Sequence, residues 1–183
     1  MLRPVLSLLA TLPLALAACT PETPEEAEQA AVEEQEAEAA EQLEQATLDL
    51  EPNGLVVPPQ NGFERLDVPF GSMRAATEAT LANVLGEAVA DNQPNDCGLT
   101  TTSYEGMALH FRDDEFVGYF ANAPYVPELT REEMLEDPAV SMIEGSTIDG
   151  EFQIGTDSEN AIFGLFVGDE VRALYSGENC IAR

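Results

Sequence analysis

His110 is the only histidine of this 183-residue chain, and few of its other side chains are equipped for chemistry. It lies in Met107-Ala108-Leu109-His110-Phe111-Arg112, where apolar residues alternate with the rest. A period of two marks a β-strand and puts His110 on the face opposite Met107, Leu109 and Phe111. A catalytic imidazole needs a nucleophile to activate or a carboxylate to orient it. Ser72, Ser103 and Ser176 are available, but none stands in a Gly-x-Ser-x-Gly elbow. His110 therefore reads as an ordinary strand histidine. The seven basic residues are all arginine, at positions 3, 65, 74, 112, 131, 172 and 183. Without lysine there is no P-loop, Schiff-base or kinase-type ATP lysine. The clusters Asp113-Asp114-Glu115 and Glu132-Glu133 with Glu136-Asp137 carry calcium-type ligands, and Asp91 to Gly98 superficially has a calcium-loop composition. That loop lacks the sixth-position Gly and the closing Glu of such sites. Solvated turns and a solvated helix face are the simpler reading. The residues thus assign no catalytic group, no metal site and no cofactor, and they point away from an enzyme.

Three cysteines remain, Cys19, Cys97 and Cys180. The first closes an N-terminal segment with a positive start, Met1-Leu2-Arg3, and an apolar run of Leu, Ala and Val. The run from Pro4 to Ala18 has 15 residues, short of the roughly 20 that cross a hydrocarbon core, and Pro13 would disturb a spanning helix. This is the layout of a cleaved export signal. It ends on Leu16-Ala17-Ala18-Cys19, which resembles the lipobox of bacterial lipoproteins. The resemblance implies a thioether-linked diacylglycerol on Cys19, cleavage before it, and acylation of the freed amine. One acyl chain holds a protein only marginally at a bilayer, whereas two or three anchor it. In lipoproteins of enteric type an Asp after the cysteine retains the protein at the inner membrane. Thr20 stands there instead, which implies the outer membrane, facing the periplasm. With Cys19 taken by lipid, Cys97 and Cys180 are two thiols in an oxidising compartment, where one disulfide is the expected outcome. Free buried thiols or metal ligation are the alternatives, and neither a CxxC nor a neighbouring histidine favours metal.

Loss of the signal removes Arg3 and leaves six arginines against 35 acidic residues, a formal charge of −29. Such a surface disfavours nucleic acid and anionic headgroups, so membrane attachment rests on covalent lipid. From Thr20 to Glu51 there are 12 acidic residues and no basic one. Thr23-Pro24-Glu25-Glu26 has a helix-start pattern, and Ala, Glu and Gln favour helix. Glu34, Glu38 and Glu41 repel one another along one face with no cation to pair with. The stripe Val32, Ala39, Leu43, Ala46, Leu50 is thin. The segment reads as a solvated, partly helical tether, with a coiled-coil partner helix as the alternative. The chain thus divides into a cleaved signal (1–18), a lipidated cysteine with its acidic tether (19–60), and one α+β domain (61–183).

In the domain, Leu66, Val68 and Phe70 alternate as a short strand ended by Gly71. Ser72 is placed to cap a helix from Met73 to Leu85 with the stripe Met73, Ala76, Leu81, Val84, Leu85, and Gly86 to end it. Asp91 to Gly98 reads as a loop. Met107–Arg112 and Phe116–Ala121 form a hairpin about Asp113-Asp114-Glu115. Thr130-Arg131-Glu132-Glu133 is a capping box opening a helix that Pro138 stops. Short strands at Val140–Ile143 and Phe152–Ile154 precede a second hairpin, Ala161–Val167 and Val171–Tyr175, with Cys180–Ala182 as a final strand. At an offset of 55 residues Phe111 falls on Phe166, Asp114 on Asp169, Glu115 on Glu170 and Phe120 on Tyr175. This reads as two degenerate helix–loop–β-hairpin units packing an antiparallel sheet against two short helices. The layout faintly resembles the SmpA/BamE-like and β-lactamase-inhibitor-like α+β modules of exported bacterial proteins, which act by binding other proteins. That resemblance carries no residue-level role.

The function expected is that of a cell-envelope lipoprotein, held at the bilayer through Cys19 and acting as a binding or structural module for an unidentified envelope protein. A cation or small-ligand binder and a small hydrolase are the alternatives. An exposed apolar strip on a sheet over a closed core would favour the first, a carboxylate cage at a hairpin turn the second, and convergent polar residues around His110 the third.

Overall fold

The computed structural model describes residues 48–59, 64–92, 94–157 and 160–181. The expected signal, Cys19 and the expected tether helix lie outside the described residues. What is described is an α+β fold dominated by antiparallel sheet. A three-stranded sheet is built from β1 (Asp49–Glu51), β2 (Gly54–Val57) and β3 (Leu66–Pro69), in that order. Helix α1 (Arg74–Leu85) follows, then β4 (Ala90–Asn92), β5 (Thr100–Tyr104), β6 (Met107–Arg112) and β7 (Glu115–Ala121). Helix α2 (Arg131–Glu136) precedes β8 (Val140–Met142), β9 (Glu151–Ile154), β10 (Ile162–Val167) and β11 (Glu170–Gly177). These last eight strands make one sheet in the order β4-β5-β6-β7-β11-β10-β9-β8.

That order is two four-stranded meanders joined edge to edge, each preceded by a helix. The junction pairs Phe120 with Tyr175 and Tyr119 with Ser176. The two halves repeat one another in detail. The Arg74 amide donates to the Asp114 carbonyl and the Arg131 amide to the Asp169 carbonyl, each at 2.7 Å. The Arg74 guanidinium lies 5.0 Å from the Phe111 ring centre and that of Arg131 5.5 Å from Phe166. Each inner hairpin breaks register at the equivalent place, between His110 and Phe111 and between Leu165 and Phe166. The first hairpin turns through Asp113 and Asp114 at φ 51° and 62°, left-handed conformations that a short polar side chain tolerates and a two-residue hairpin needs.

The helices cover one face of the large sheet. α1 buries Thr77, Leu81 and Leu85, four residues apart, and ends at Gly86 with φ 73°. Leu81 and Leu85 join Met107, Leu109, Phe111, Phe116 and Tyr119 in one core cluster. Met134 of α2 joins Phe152, Phe166, Val171 and Leu174 in a second, and Leu50 packs against both. Gly164 faces the second cluster without a side chain for a steric reason. A Cβ there would lie 2.2 Å from Cζ of Phe152, whose ring stacks on Phe166 at 4.1 Å.

Several expectations need correction. Residues 49–57 are not tether: Leu55, Val56 and Val57 are buried, and Leu48 and Leu50 pack against the core. The reason is the apolar run Leu55-Val56-Val57, which Pro52-Asn53 turns into a hairpin with Glu51 opposite Gly54. The folded unit therefore begins well before residue 61. Ser72 does not cap α1; its hydroxyl donates to the Pro69 carbonyl, and Met73, 57% exposed, takes the N-cap position. Thr130, by contrast, makes the full capping box with Glu133. Part of the expected loop at 91–98 is strand β4, and the polar run Thr100–Tyr104 is strand β5. Cys180 and Ile181 form no strand.

Candidate functional site

The face of the large sheet turned away from the helices carries a continuous cross-strand row. Register places Ser103 opposite Ala108, Ala108 opposite Phe120, Phe120 opposite Tyr175, Tyr175 opposite Phe163 and Phe163 opposite Gln153. The rings stack in sequence, Phe120 on Tyr175 at 5.9 Å and Tyr175 on Phe163 at 5.8 Å. Each such pair contributes roughly 0.5–1.5 kcal/mol beyond its buried area. Ala108, Phe120 and Phe163 remain partly exposed, while Tyr175 is buried. The Tyr175 hydroxyl donates to the carboxylate of Glu151, and so does the Ser146 hydroxyl. Glu151 is 1% exposed. The Ile148 amide returns to Ser146 Oγ at 3.0 Å, so this carboxylate holds the connection between β8 and β9 against the sheet.

Next to the aromatic row runs a second one, Thr101–His110–Gly118–Gly177. The chain leaves β11 at Gly177 and crosses this row as an irregular strap, Glu178 to Ile181. Gly118 makes the crossing feasible, because a Cβ on it would lie 2.3 Å from the Glu178 carbonyl oxygen. The Glu178 amide donates to the Val117 carbonyl at 2.8 Å, and Arg112 Nε donates to the Glu178 carboxylate at 2.8 Å. Asn179 Nδ2 donates to the Ser176 carbonyl at 2.9 Å. At the strap's end Cys180 meets Cys97, with their sulfurs bonded and Cα atoms 5.9 Å apart, inside the range a disulfide spans.

His110 lies beneath this strap. Its Nδ1 is 3.0 Å from Thr101 Oγ1. Burial lowers its pKa from the ordinary 6.5, and the side chain of Asn179, which favours the protonated ring, opposes that shift. Asn179 Oδ1 is itself buried without a well-formed hydrogen bond. Neither Ser72 nor Ser176 is directed at this imidazole: Ser72 bonds Pro69, and Ser176 donates to the carbonyls of Pro52 and Ala161.

The acidic clusters do not come together. Asp113 and Asp114 form a hairpin turn. Glu133 turns its carboxylate back to the Thr130 amide and hydroxyl, and the amide bond first, then the hydroxyl, lowers its pKa. Glu132 and Glu136 line a shallow open depression with Arg131, Leu135 and Asp169. Among the described residues no three His, Cys, Asp or Glu side chains are arranged around a metal position.

Sequence reasoning found His110 and the cysteine pair but missed the aromatic row and the strap. A strand glycine at Gly118 was the available signal, because glycine inside a strand marks a close backbone approach. Cys19 lies outside the described residues. No family model matches the chain, and no curated protein or solved structure is significantly similar to it.

Proposed function

We propose that this chain is a lipid-anchored envelope protein, fixed to the outer membrane through Cys19 and binding another envelope protein through the aromatic face of its sheet. The observation that carries the reading is the row Ser103–Ala108–Phe120–Tyr175–Phe163–Gln153, partly exposed on a face where neither helix lies. A stacked aromatic centre with polar ends is the composition of a protein-binding surface. The chain's charge constrains the partner. Four arginines are engaged within the fold, with Asp67, Glu78, Glu178 and the Phe166 ring. Six arginines against 35 acidic residues therefore leave a surface that accepts a neutral or basic contact and repels an acidic one. The matching contacts of the two halves support a degenerate duplication whose unit is a helix followed by a four-stranded meander, larger than the helix–loop–hairpin expected. Joining the units at β7 and β11 brings Phe120 beside Tyr175 and so creates the continuous row.

The test is photo-crosslinking in intact cells. A photoreactive residue at Phe120 should capture a defined protein that the same probe at Glu87, an exposed position just beyond α1, does not. Equal patterns at both positions would remove the binding face. Cys19→Ser should separately shift the protein out of the membrane fraction or leave it unprocessed. Normal size and membrane retention would remove the anchor.

A further inference from the structure

We propose that the C-terminal strap is a redox-latched cover: opening the Cys97–Cys180 bond releases Glu178–Ile181 from the sheet, uncovering His110 and Gly118 while the sheet stays folded. Four observations lead there. Both cysteines are exposed, so an external thiol can reach the bond. No strap residue belongs to either core cluster. Apart from the disulfide, the strap is held by few contacts: the exposed Arg112–Glu178 ion pair, with side chains 43% and 49% exposed, the Glu178 amide on the Val117 carbonyl, and the partly buried Asn179 side chain on the Ser176 carbonyl. Beneath it lies a bare step, Gly118 beside Gly177, where the sheet presents no side chain.

An exposed ion pair adds little holding strength, so the disulfide is the main fastening. The chemistry is thiol–disulfide exchange with an envelope dithiol. One of its thiolates attacks a sulfur of the Cys97–Cys180 bond and forms a mixed disulfide. The departing cysteine thiolate takes a proton. The second thiol of the reductant then attacks the mixed bond, freeing the other cysteine. The dithiol leaves oxidised to its disulfide, and the protein gains two thiols, two electrons and two protons.

His110 reports the latch. It faces Thr101 from β5, Gly118 from β7 and Asn179 from the strap, with Arg112 two residues along its own strand and Glu178 in the strap as the neighbouring charges. With the strap gone, water reaches the ring and its titration moves up toward the ordinary 6.5.

The experiment uses the processed chain, oxidised and after incubation with dithiothreitol. Before reduction, neither cysteine should react with an alkylating reagent. After it, both should react, hydrogen exchange should quicken at residues 178–181, and the His110 NMR titration should move upward. Amides of β6, β7, β10 and β11 should stay protected. Two free thiols in the untreated protein would overturn the proposal. So would loss of sheet protection on reduction, since the bond would then be a staple of the fold. An unmoved His110 titration would also overturn it, because the strap would not have left. Cys180→Ser provides a second route to the released state and must give the same His110 titration as the reduced chain. Failure of that variant to fold counts as the staple outcome.

Discussion

His110 shows how a residue's neighbours decide its character. In the unfolded chain it is an ordinary imidazole; in the fold, burial lowers its pKa and Asn179 only partly restores it. The unfolded state therefore binds the proton more readily. Its contribution to stability is complete above the ordinary value of 6.5 and declines as pH falls from there through the lower folded value. Denaturant unfolding between pH 8 and pH 5 should show stability falling on the acid side, and His110→Gln should flatten that part of the curve. An unchanged slope in the variant would assign the pH dependence to other groups. Tyr119 follows the same logic: burial, then the nearby Glu51, raises its pKa, and its hydroxyl donates to the Glu51 carbonyl at 3.0 Å. At the same scale Gly164 is tightly constrained. Gly164→Ala forces a methyl into the Phe152 ring and should destabilise by about 1–3 kcal/mol, measured as a lower denaturation midpoint at constant m-value.

Among the elements, the β1–β2 hairpin contradicts its composition most. It follows a long acidic stretch and reads locally as part of it, yet Leu55 is 1% exposed and Leu50 packs against both core clusters. A deletion from Glu25 to Glu44 should leave the melting temperature of the folded unit nearly unchanged. Extending the deletion through Val57 removes β1 and β2 and should abolish cooperative unfolding. A milder version is Leu55→Ala, which should cost about 2–5 kcal/mol for a buried leucine. If the longer deletion melts like the parent, the small sheet is an appendage and the core closes without it. The helices contrast with each other in the same way. The capping box of α2 was readable because Thr130 and Glu133 bond within one turn. Helix α1 was legible to within one residue of its start, but its cap was not, because Ser72 found a partner at Pro69 that helix rules do not anticipate.

For the whole molecule, charge is the dominant long-range term. Seven arginines against 35 carboxylates leave the chain strongly self-repelling at neutral pH. Salt screens such repulsion over a Debye length of about 8–10 Å near physiological strength. The melting temperature should therefore rise between low salt and about 0.5 M sodium chloride. A fall would mean that the few ion pairs, such as Arg74 with Glu78 at 2.9 Å, outweigh the general repulsion.

What the sequence by itself determined is local. Alternation placed Met107, Leu109 and Phe111 on one face and His110 on the other. Asp113-Asp114 and Gly168-Asp169 marked hairpin turns, Thr130 to Glu133 marked a helix start, and the offset of 55 related the two hairpins. Each of these follows from neighbours a few residues apart or from comparing such stretches. The tertiary structure alone decided that Leu55 is core, that Thr100–Tyr104 is a strand, and that Phe120 stacks on Tyr175 across the junction of the two meanders. It also decided that Glu178 lies on Gly118. Those outcomes depend on which strand edges meet and which surfaces remain to be covered. Pairings between residues tens of positions apart are set by the total burial they achieve, and no local pattern in the chain records that sum.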